Sequence, residues 1–427
     1  MEPLDLTFYG MPGIAILWLL TVLALGAFGW RVARLTSVLR QARPENRLDH
    51  LGKRLKLFVV HVLGQRRLLE EKIGIAHFFF FWGFVVFAGT FWWALIYWLV
   101  LVLPIPYPEQ IRWLNTVLDL FAAAVVVSIG VAVIRRVFFP PLHLQVTFDA
   151  YVVLGLIGTL VVTYLFGEGF SIVASPREHL AWTPAGQGLA WLLRDFDPAV
   201  ARDMAVVMWW CHMTTVLGFL AYLPYSKHLH LLVAPFNVFF GNVRPKGDLG
   251  IAGEDEKSMG GAKEWKDFTW RQLLNAFACA ECGRCDRACP ALTSGFPLSP
   301  RKILHSLKEH FLESGLGSSR KELPEGGEAD PPIGGLISDN ELWSCATCHS
   351  CMERCPVWNE HIPVIVNMRR HLINRGTLPQ TLQDSLSNIS RYGNSFGQSD
   401  RARAKWTKEL DFKIKDSRKE SVDYLWV

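Results

Sequence analysis

Five runs of apolar residues constrain the fold of this chain more than any other feature of its sequence. A bilayer core about 30 Å thick requires roughly 20 residues of helix, and lipid offers no partner to unsatisfied backbone groups, so such runs are best accommodated as helices. Since half of the residues are hydrophobic and only 19% are charged, an ordinary soluble domain is excluded. The sequence therefore predicts five transmembrane helices, at residues 11–30, 74–104, 115–134, 150–167 and 204–225.

The basic residues lie beside these runs, which indicates a membrane surface rather than nucleic acid as their partner. The net charge is +5. By the positive-inside rule, the arginine-rich loop after the first helix, which begins at Arg31, lies in the cytoplasm. The N-terminus is then outside a bacterial cytoplasmic (inner) membrane, and all residues beyond about 233 are cytoplasmic. Residues 45–72 are predicted to form an amphipathic helix at the interface.

Three histidines lie in or beside the predicted helices, where an ionisable side chain is costly and usually functional. His77 opens the second run, His212 lies within the fifth, and His230 lies near its inner end. If that helix is continuous, the 18 residues between His212 and His230 place both imidazoles on one face, about 27 Å apart. His77 and His230 share a depth, so we predict that they bind haem b between two helices. The alternative is that these histidines form hydrogen bonds between helices, and His228 is the less favoured ligand.

The order of the helices, the histidine that opens the second, and the run from His212 to Pro235 (HMTTVLGFLAYLPYSKHLHLLVAP) resemble the gamma subunit of respiratory nitrate reductase, a membrane cytochrome with two haems b. In that family the second helix carries two ligands ten residues apart. Ten residues after His77 this sequence has Phe87. The resemblance therefore implies one haem b held by His77 and His230. It assigns His212 to a second haem whose partner ligand on the second helix is missing.

Eight of the nine cysteines form two quartets with the spacing CxxCxxCxxxCP, which is typical of bacterial ferredoxins with two [4Fe-4S] clusters. In that pattern three closely spaced thiolates bind one cluster and the fourth cysteine binds the other. Zinc sites rarely use eight thiolates in duplicated quartets. The pattern therefore predicts two ligand sets, Cys279, Cys282, Cys285 and Cys355 at cluster 1, and Cys345, Cys348, Cys351 and Cys289 at cluster 2. The ninth cysteine, Cys211, is predicted to pack as a small hydrophobic residue.

The quartets lie in a module that is predicted to be helical, with one helix from about Pro300 to Leu312 and another from Val364 to Leu372. This module resembles those of fumarate reductase iron-sulfur subunits and of the D-type iron-sulfur component of heterodisulfide reductase. The segment Ile337–Ile373 (ISDNELWSCATCHSCMERCPVWNEHIPVIVNMRRHLI) is similar to membrane-bound iron-sulfur oxidoreductases regarded as electron-transfer flavoprotein:menaquinone oxidoreductases. In that family a part similar to the nitrate reductase gamma subunit precedes the two-cluster module, so the resemblance covers essentially the whole chain.

The resemblance implies an all-α chain, in which a five-helix transmembrane cytochrome b bundle precedes a helical, ferredoxin-like domain with two [4Fe-4S] clusters. The predicted parts are a haem b domain at 1–240, a linker at 241–264, a dicluster domain at 265–375 and a polar tail at 376–427. Family members continue through a strand similar to Val422–Val427 into a cysteine-rich domain. We expect that domain to be supplied in cis or in trans, because an apolar terminal strand would otherwise be an exposed edge.

The function implied by the resemblance is electron transfer between a cytoplasmic flavoprotein, the electron-transfer flavoprotein, and menaquinone, through two [4Fe-4S] clusters and haem b. Two alternatives stay open. One is a heterodisulfide reductase-like or other dehydrogenase-linked subunit that reacts with quinone, and the other is a non-catalytic membrane anchor for a redox complex. No motif in the sequence identifies catalytic residues or the quinone site.

Overall fold

The computed structural model describes residues 6–8, 10–100, 111–140, 147–175, 182–248, 260–316, 336–399, 402, 405–415, 419 and 421. Contacts divide the chain into two compact units, Met1–Met368 and Arg369–Val427. The strands are two residues long, Thr7–Phe8 and Met11–Pro12, and pair antiparallel. The other regular elements of the described residues are helices, so the all-α prediction is confirmed.

The helices of the membrane part are apolar and are numbered in chain order. They are α1 (Gly13–Gln41), α2 (Leu51–Leu57), α3 (Arg66–Leu69), α4 (Gly74–Val100), α5 (Arg112–Phe138), α6 (Phe148–Ala174), α7 (Pro184–Leu192), α8 (Pro198–Tyr222) and α9 (Leu229–Phe239). Five of them, α1, α4, α5, α6 and α8, are long and apolar enough to span a bilayer, which confirms the predicted number. Their outward side chains are apolar too, including Leu23 (60% exposed) and Val127 (66% exposed). A helix that is apolar on all sides suits lipid.

The membrane helices pack through small and aliphatic residues. Leu17 and Ala24 of α1 form a buried cluster with Leu217 of α8. Helices α4 and α5 approach each other at Gly83, where a Cβ atom would lie only 2.8 Å from Val125 Cγ2. Close approach at a glycine is a common way for membrane helices to gain packing contacts.

Asp119, the carboxylate inside the third predicted helix, caps another helix. It is fully buried in α5 and accepts hydrogen bonds from the backbone N–H groups of Ala185 (2.7 Å) and Gly186 (2.9 Å). These groups belong to the first turn of α7, where the N–H groups lack partners within the helix and the helix dipole favours negative charge. Asp119 therefore has a structural role.

The fifth predicted helix does not continue to His230, and the prediction that His212 and His230 share one helical face is wrong. Helix α8 ends at Tyr222, a single 3-10 turn covers Leu223–Tyr225, and α9 begins at Leu229. The break lies at Pro224, which has no N–H group and whose ring clashes with the preceding turn of a helix.

The predicted interfacial helix at 45–72 is shorter and is interrupted. It begins at Leu51, continues as a π-helical stretch over Phe58–Leu63, and breaks at Gln65, whose φ of 46° is left-handed. The short α3 follows at Arg66. The break directs the chain into α4, so that α3 packs beside the start of α4.

The cysteine module consists of short helices. They are α10 (Trp270–Ala278), α11 (Arg284–Arg287), α12 (Pro290–Thr293), α13 (Pro300–Leu316), α14 (Asp339–Trp343), α15 (Ser350–Arg354) and α16 (His361–Asn374). Helix α10 starts with a capping box, in which Thr269 and Gln272 satisfy each other's backbone N–H groups. The two helices predicted here are confirmed as α13 and α16, and both extend beyond their predicted ends.

Arg271 of α10 is fully buried and connects the cysteine module to the end of α9. Its guanidinium donates hydrogen bonds to the carbonyls of Asn237 (3.1 Å), Phe240 (3.0 Å) and Trp358 (3.2 Å). It also pairs with Glu360 at 3.1 Å. Burial opposes the ionisation of Glu360, but Arg271 and Arg47 outweigh it and hold the pKa of the Glu360 carboxyl below its ordinary value.

Replacing Arg271 with methionine should lower the free energy of unfolding by about 3 kcal/mol, because the carbonyls and Glu360 would stay buried with one cation fewer. Arg47 still pairs with Glu360 at 2.8 Å, which limits the loss. Tryptophan fluorescence of the detergent-solubilised protein during unfolding measures the change. The control is Arg194→Met, since the pair of Arg194 with Asp195 is exposed and should contribute little. Equal losses in the two variants would contradict the assignment.

The second unit, Arg369–Val427, contains a helix that the sequence did not predict. Helix α17 (Gln380–Tyr392) ends at Gly393, whose φ of 71° provides a left-handed C-cap. A 3-10 turn follows at Lys405–Glu409. The predicted strand Val422–Val427 lies outside the described residues.

Candidate metal centres

His77, His228 and His230 lie together in the membrane part. The rings of His228 and His230 are 5.4 Å apart, and His77 lies within electrostatic range of both. His230 donates its Nδ1–H to the carbonyl of Lys227 at 2.6 Å, which leaves Nε2 available to a metal. Metal-binding histidines usually donate their other ring N–H in this way, so His230 fits a haem ligand. His228 was expected on another face of a continuous helix, but the break before α9 places it beside His230.

His212 lies further along the bundle, between α8 and α6. Its Nδ1 is 3.1 Å from the carbonyl of Leu160 and 3.0 Å from the Thr163 hydroxyl, which again leaves Nε2 available. The ring of Tyr164 lies 6.4 Å from that of His212 and 5.3 Å from that of Phe87. Phe87, which occupies the position of the missing second ligand, thus packs edge-on against a neighbour of His212.

Glu168 is a carboxylate in this region that sequence reasoning missed. It lies one residue beyond the predicted run 150–167 but inside α6. The hydroxyl of Tyr164 donates a hydrogen bond to Glu168 Oε1 at 3.1 Å. The polar neighbourhood of His212 therefore extends along α6 by one further turn.

The first cysteine quartet surrounds a single cavity. Cys279 at the end of α10, Cys282, Cys285 in α11 and Cys355 after α15 all line a space of about 280 Å³ that is not filled by atoms. The loop between the first three curves around the cavity through left-handed φ values at Glu281 (53°) and Gly283 (73°). The structure thus brings together the four residues predicted for cluster 1.

The chemistry of these four thiols fits a cationic metal cluster. Burial and then neighbouring groups raise the pKa of Cys279 to about 12, and burial raises the pKa of Cys355 to about 11. Thiolates are the form that binds iron, and several buried thiolates need positive charge among them to ionise together. The backbone N–H of Asn359 donates to the Cys355 sulfur at 3.3 Å, which also favours the thiolate.

The second quartet follows the same backbone plan. Thr347 (φ 50°) and His349 (φ 71°) are left-handed at the positions that correspond to Glu281 and Gly283 in the first loop. Cys345, Cys348 and Cys289 lie within electrostatic range of Cys351, and burial and then these thiols raise the pKa of Cys351 above its ordinary value. The fourth residue of the first quartet, Cys289, therefore lies beside the first three of the second.

His361 also lines the cavity of the first quartet, and sequence reasoning missed it. It is buried at the start of α16, and among the described residues its Nδ1 has no hydrogen-bond partner. A buried polar atom without a partner is costly, and a sulfur of a cluster in this cavity would supply an acceptor. The spacing of one histidine after CPxxxx carries no general signal, so only the fold reveals it.

A family model described as a 4Fe-4S dicluster domain matches residues 271–356, which include both quartets. The chain carries a 4Fe-4S dicluster domain. The probable iron-sulfur-binding oxidoreductase FadF of Bacillus subtilis is 32% identical over 97% of this chain and 64% of its own length. The EtfAB:quinone oxidoreductase of Syntrophomonas wolfei is 28% identical over 85% of this chain and 55% of its own length. These relatives agree with the resemblance drawn from the cysteine motifs and the helix order.

A third relative matches the dicluster domain alone. This iron-sulfur subunit of the CoB--CoM heterodisulfide reductase of Methanopyrus kandleri is 34% identical over 21% of this chain and 35% of its own length. The chain spans less than two thirds of the length of FadF and of the EtfAB:quinone oxidoreductase. No solved structure matches the chain.

The dicluster domain meets the histidine end of the membrane part at Glu281, which lies between Cys279 and Cys282. The carboxylate is 4% exposed and pairs with Lys227 (2.9 Å), Lys308 (3.6 Å) and His305 (3.6 Å). Burial opposes its ionisation, but Lys308 and Lys227 outweigh burial and hold the pKa of the Glu281 carboxyl below its ordinary value.

Arg284, one residue before Cys285, forms a second contact between the two parts. It donates hydrogen bonds to the carbonyls of Arg67 (2.8 Å) and Leu68 (3.2 Å) in α3, and it lies within electrostatic range of His77. Arg67 in turn donates to the carbonyl of Cys355 at 3.1 Å. The first cysteine loop is thus held against the membrane part from both sides.

Proposed function

We propose that the chain is a membrane-bound oxidoreductase that passes electrons between a cytoplasmic flavoprotein, the electron-transfer flavoprotein, and menaquinone. One observation carries the proposal: the first cysteine loop contacts the segment that bears His230, through Glu281 and Lys227. Two redox centres that exchange electrons must lie close together, and these contacts bring their proposed ligands together.

The proposed ligands of cluster 1 are Cys279, Cys282, Cys285 and Cys355, and those of cluster 2 are Cys345, Cys348, Cys351 and Cys289. His77 and His230 would hold one haem b, and His212 is the candidate ligand of a second. Iron-sulfur clusters and haem supply one-electron chemistry when bound, and a protein sets their potentials through charge, hydrogen bonds and solvent exposure. Here the chain's own contributions are the N–H donor of Asn359 on Cys355, the buried His361 and the charges around Glu281.

We propose an inner-membrane location with the N-terminus outside and the dicluster domain in the cytoplasm. Arg67 and Arg284 support this orientation, because basic residues concentrate on the cytoplasmic side and both lie where the dicluster domain meets the membrane part. The five spanning helices make the chain a membrane protein.

The proposed partners are the electron-transfer flavoprotein and a cysteine-rich domain similar to that of heterodisulfide reductase, in cis or in trans. The names of the relatives support both, since one acts on EtfAB and quinone and another belongs to a heterodisulfide reductase. Electrons would enter at the second quartet, because Cys348 is exposed whereas Cys289 and Cys351 are buried.

Reduction of the purified, anaerobically prepared protein tests the proposal. We expect b-type haem bands in the dithionite-reduced spectrum, and we expect menadiol, a soluble analogue of menaquinol, to produce the same bands. Their absence in a preparation that contains both clusters would leave the membrane-anchor alternative. Co-purification with the electron-transfer flavoprotein would separate the proposal from a heterodisulfide reductase-like or dehydrogenase-linked subunit.

A further inference from the structure

Glu281 is a buried carboxylate in a place where no metal ligand is required. It occupies a variable position of the CxxC spacing, with a left-handed backbone, and only 4% of its surface is exposed. Burying a carboxylate is expensive unless cations and hydrogen bonds compensate. Three basic side chains surround it, from the membrane part (Lys227) and from α13 (His305 and Lys308).

The contact with Lys227 leads directly to the proposed haem ligand. Lys227 Nζ is 2.9 Å from Glu281 Oε2, and the backbone carbonyl of the same lysine accepts the hydrogen bond from His230 Nδ1. One residue therefore binds the cysteine loop with its side chain and orients the imidazole with its backbone. The path from Cys279 and Cys282 to His230 runs through a single ion pair.

The charge of Glu281 also acts on the first quartet itself. Glu281 lines the cavity that Cys279, Cys282, Cys285 and Cys355 surround. A cluster gains one negative charge on reduction, so a nearby carboxylate disfavours the reduced form and a nearby cation favours it. Glu281 and Lys227 should therefore shift the reduction potential of cluster 1 in opposite directions.

We propose that Glu281 is a positioning residue that holds the first cysteine loop at the distance from His230 needed for electron transfer, and that its charge lowers the reduction potential of cluster 1. The inference rests on the proposed electron-transfer function and assigns to this ion pair the alignment of the cluster with the haem.

Two substitutions on opposite sides of the ion pair test the inference. Glu281→Gln should raise the potential of cluster 1, because the carboxylate is lost while Lys227 and Lys308 stay. Lys227→Met should lower that potential, because Glu281 loses a neutralising partner. In both variants the rate at which reduced clusters reduce the haem should fall about tenfold, since each removes the contact that aligns the centres. EPR-monitored redox titration gives the potentials, and stopped-flow absorbance gives the rate.

The matched control is Glu341→Gln, which removes another buried carboxylate of the same domain. Glu341 caps α14 and pairs with Lys302 at 2.9 Å, within the dicluster domain and away from Glu281. It should change neither the potential of cluster 1 nor the rate of haem reduction. Wild-type protein that contains clusters but no haem would refute the proposed function. Normal wild-type transfer, with potentials that stay constant or shift in the same direction in Glu281→Gln and Lys227→Met, would refute this inference alone.

Discussion

Replacing Cys355 with serine should remove the cluster held by Cys279, Cys282 and Cys285, although those residues belong to the other quartet. The expected loss is about four of the eight cluster irons, together with the EPR signal of one cluster. The physical reason is that Cys355 lines the cavity of the first three cysteines, at the end of the short α15. Iron and acid-labile sulfide analysis of anaerobically purified protein measures the change.

The reciprocal variant and a control make this result specific. Cys289→Ser should remove the other cluster, because Cys289 lies beside Cys351. Cys211→Ser should retain all iron, because Cys211 lies in the membrane helix α8, far along the chain from both quartets. A Cys355→Ser protein that loses the cluster of Cys345, Cys348 and Cys351 would show that each quartet binds its own cluster.

Alanine at His77 or at His230 should remove one and the same haem b. His230 presents Nε2 because its Nδ1 is held by the Lys227 carbonyl, and His77 lies within electrostatic range of it. The haem-to-iron ratio of each purified variant, from the pyridine haemochrome spectrum and iron analysis, should fall by a full haem per chain. His212→Ala should remove at most a different haem.

His228→Ala provides the nearest control, since its ring lies 5.4 Å from that of His230. It should keep the haem if His230 is the ligand. A full haem complement in His77→Ala would refute the pairing, and loss of haem in His228→Ala with retention in His230→Ala would move the ligand by two residues.

The parts of the fold that depend on a single local rule could be predicted from the sequence. Lipid imposes a minimum length on any spanning helix, so the five apolar runs predict the five helices. The spacing of the cysteines predicts which thiols meet, because short loops limit how three sulfurs can be arranged and leave the fourth for the neighbouring site. The structure places Cys355 with the first quartet and Cys289 with the second, as that spacing predicts.

The parts that depend on contacts between distant segments could not be predicted. A proline can kink a helix or end it, and the contacts around Ser226, such as its hydroxyl bonds with the Leu223 carbonyl and the His228 N–H, accompany the end of the helix here. Glu281 and His361 have no sequence signature, since their importance comes from lysines of other elements and from a cavity that the fold creates.

The two cysteine loops share a backbone shape but not its energetic cost. The first loop has glycine at its second left-handed position, Gly283, whereas the second has His349 there, with φ of 71°. A left-handed conformation costs a non-glycine residue on the order of 1 kcal/mol, so the second loop relaxes more readily when no iron constrains it. During maturation the first site is thus the better preformed scaffold for cluster insertion, and the second acquires its final shape only as metal arrives.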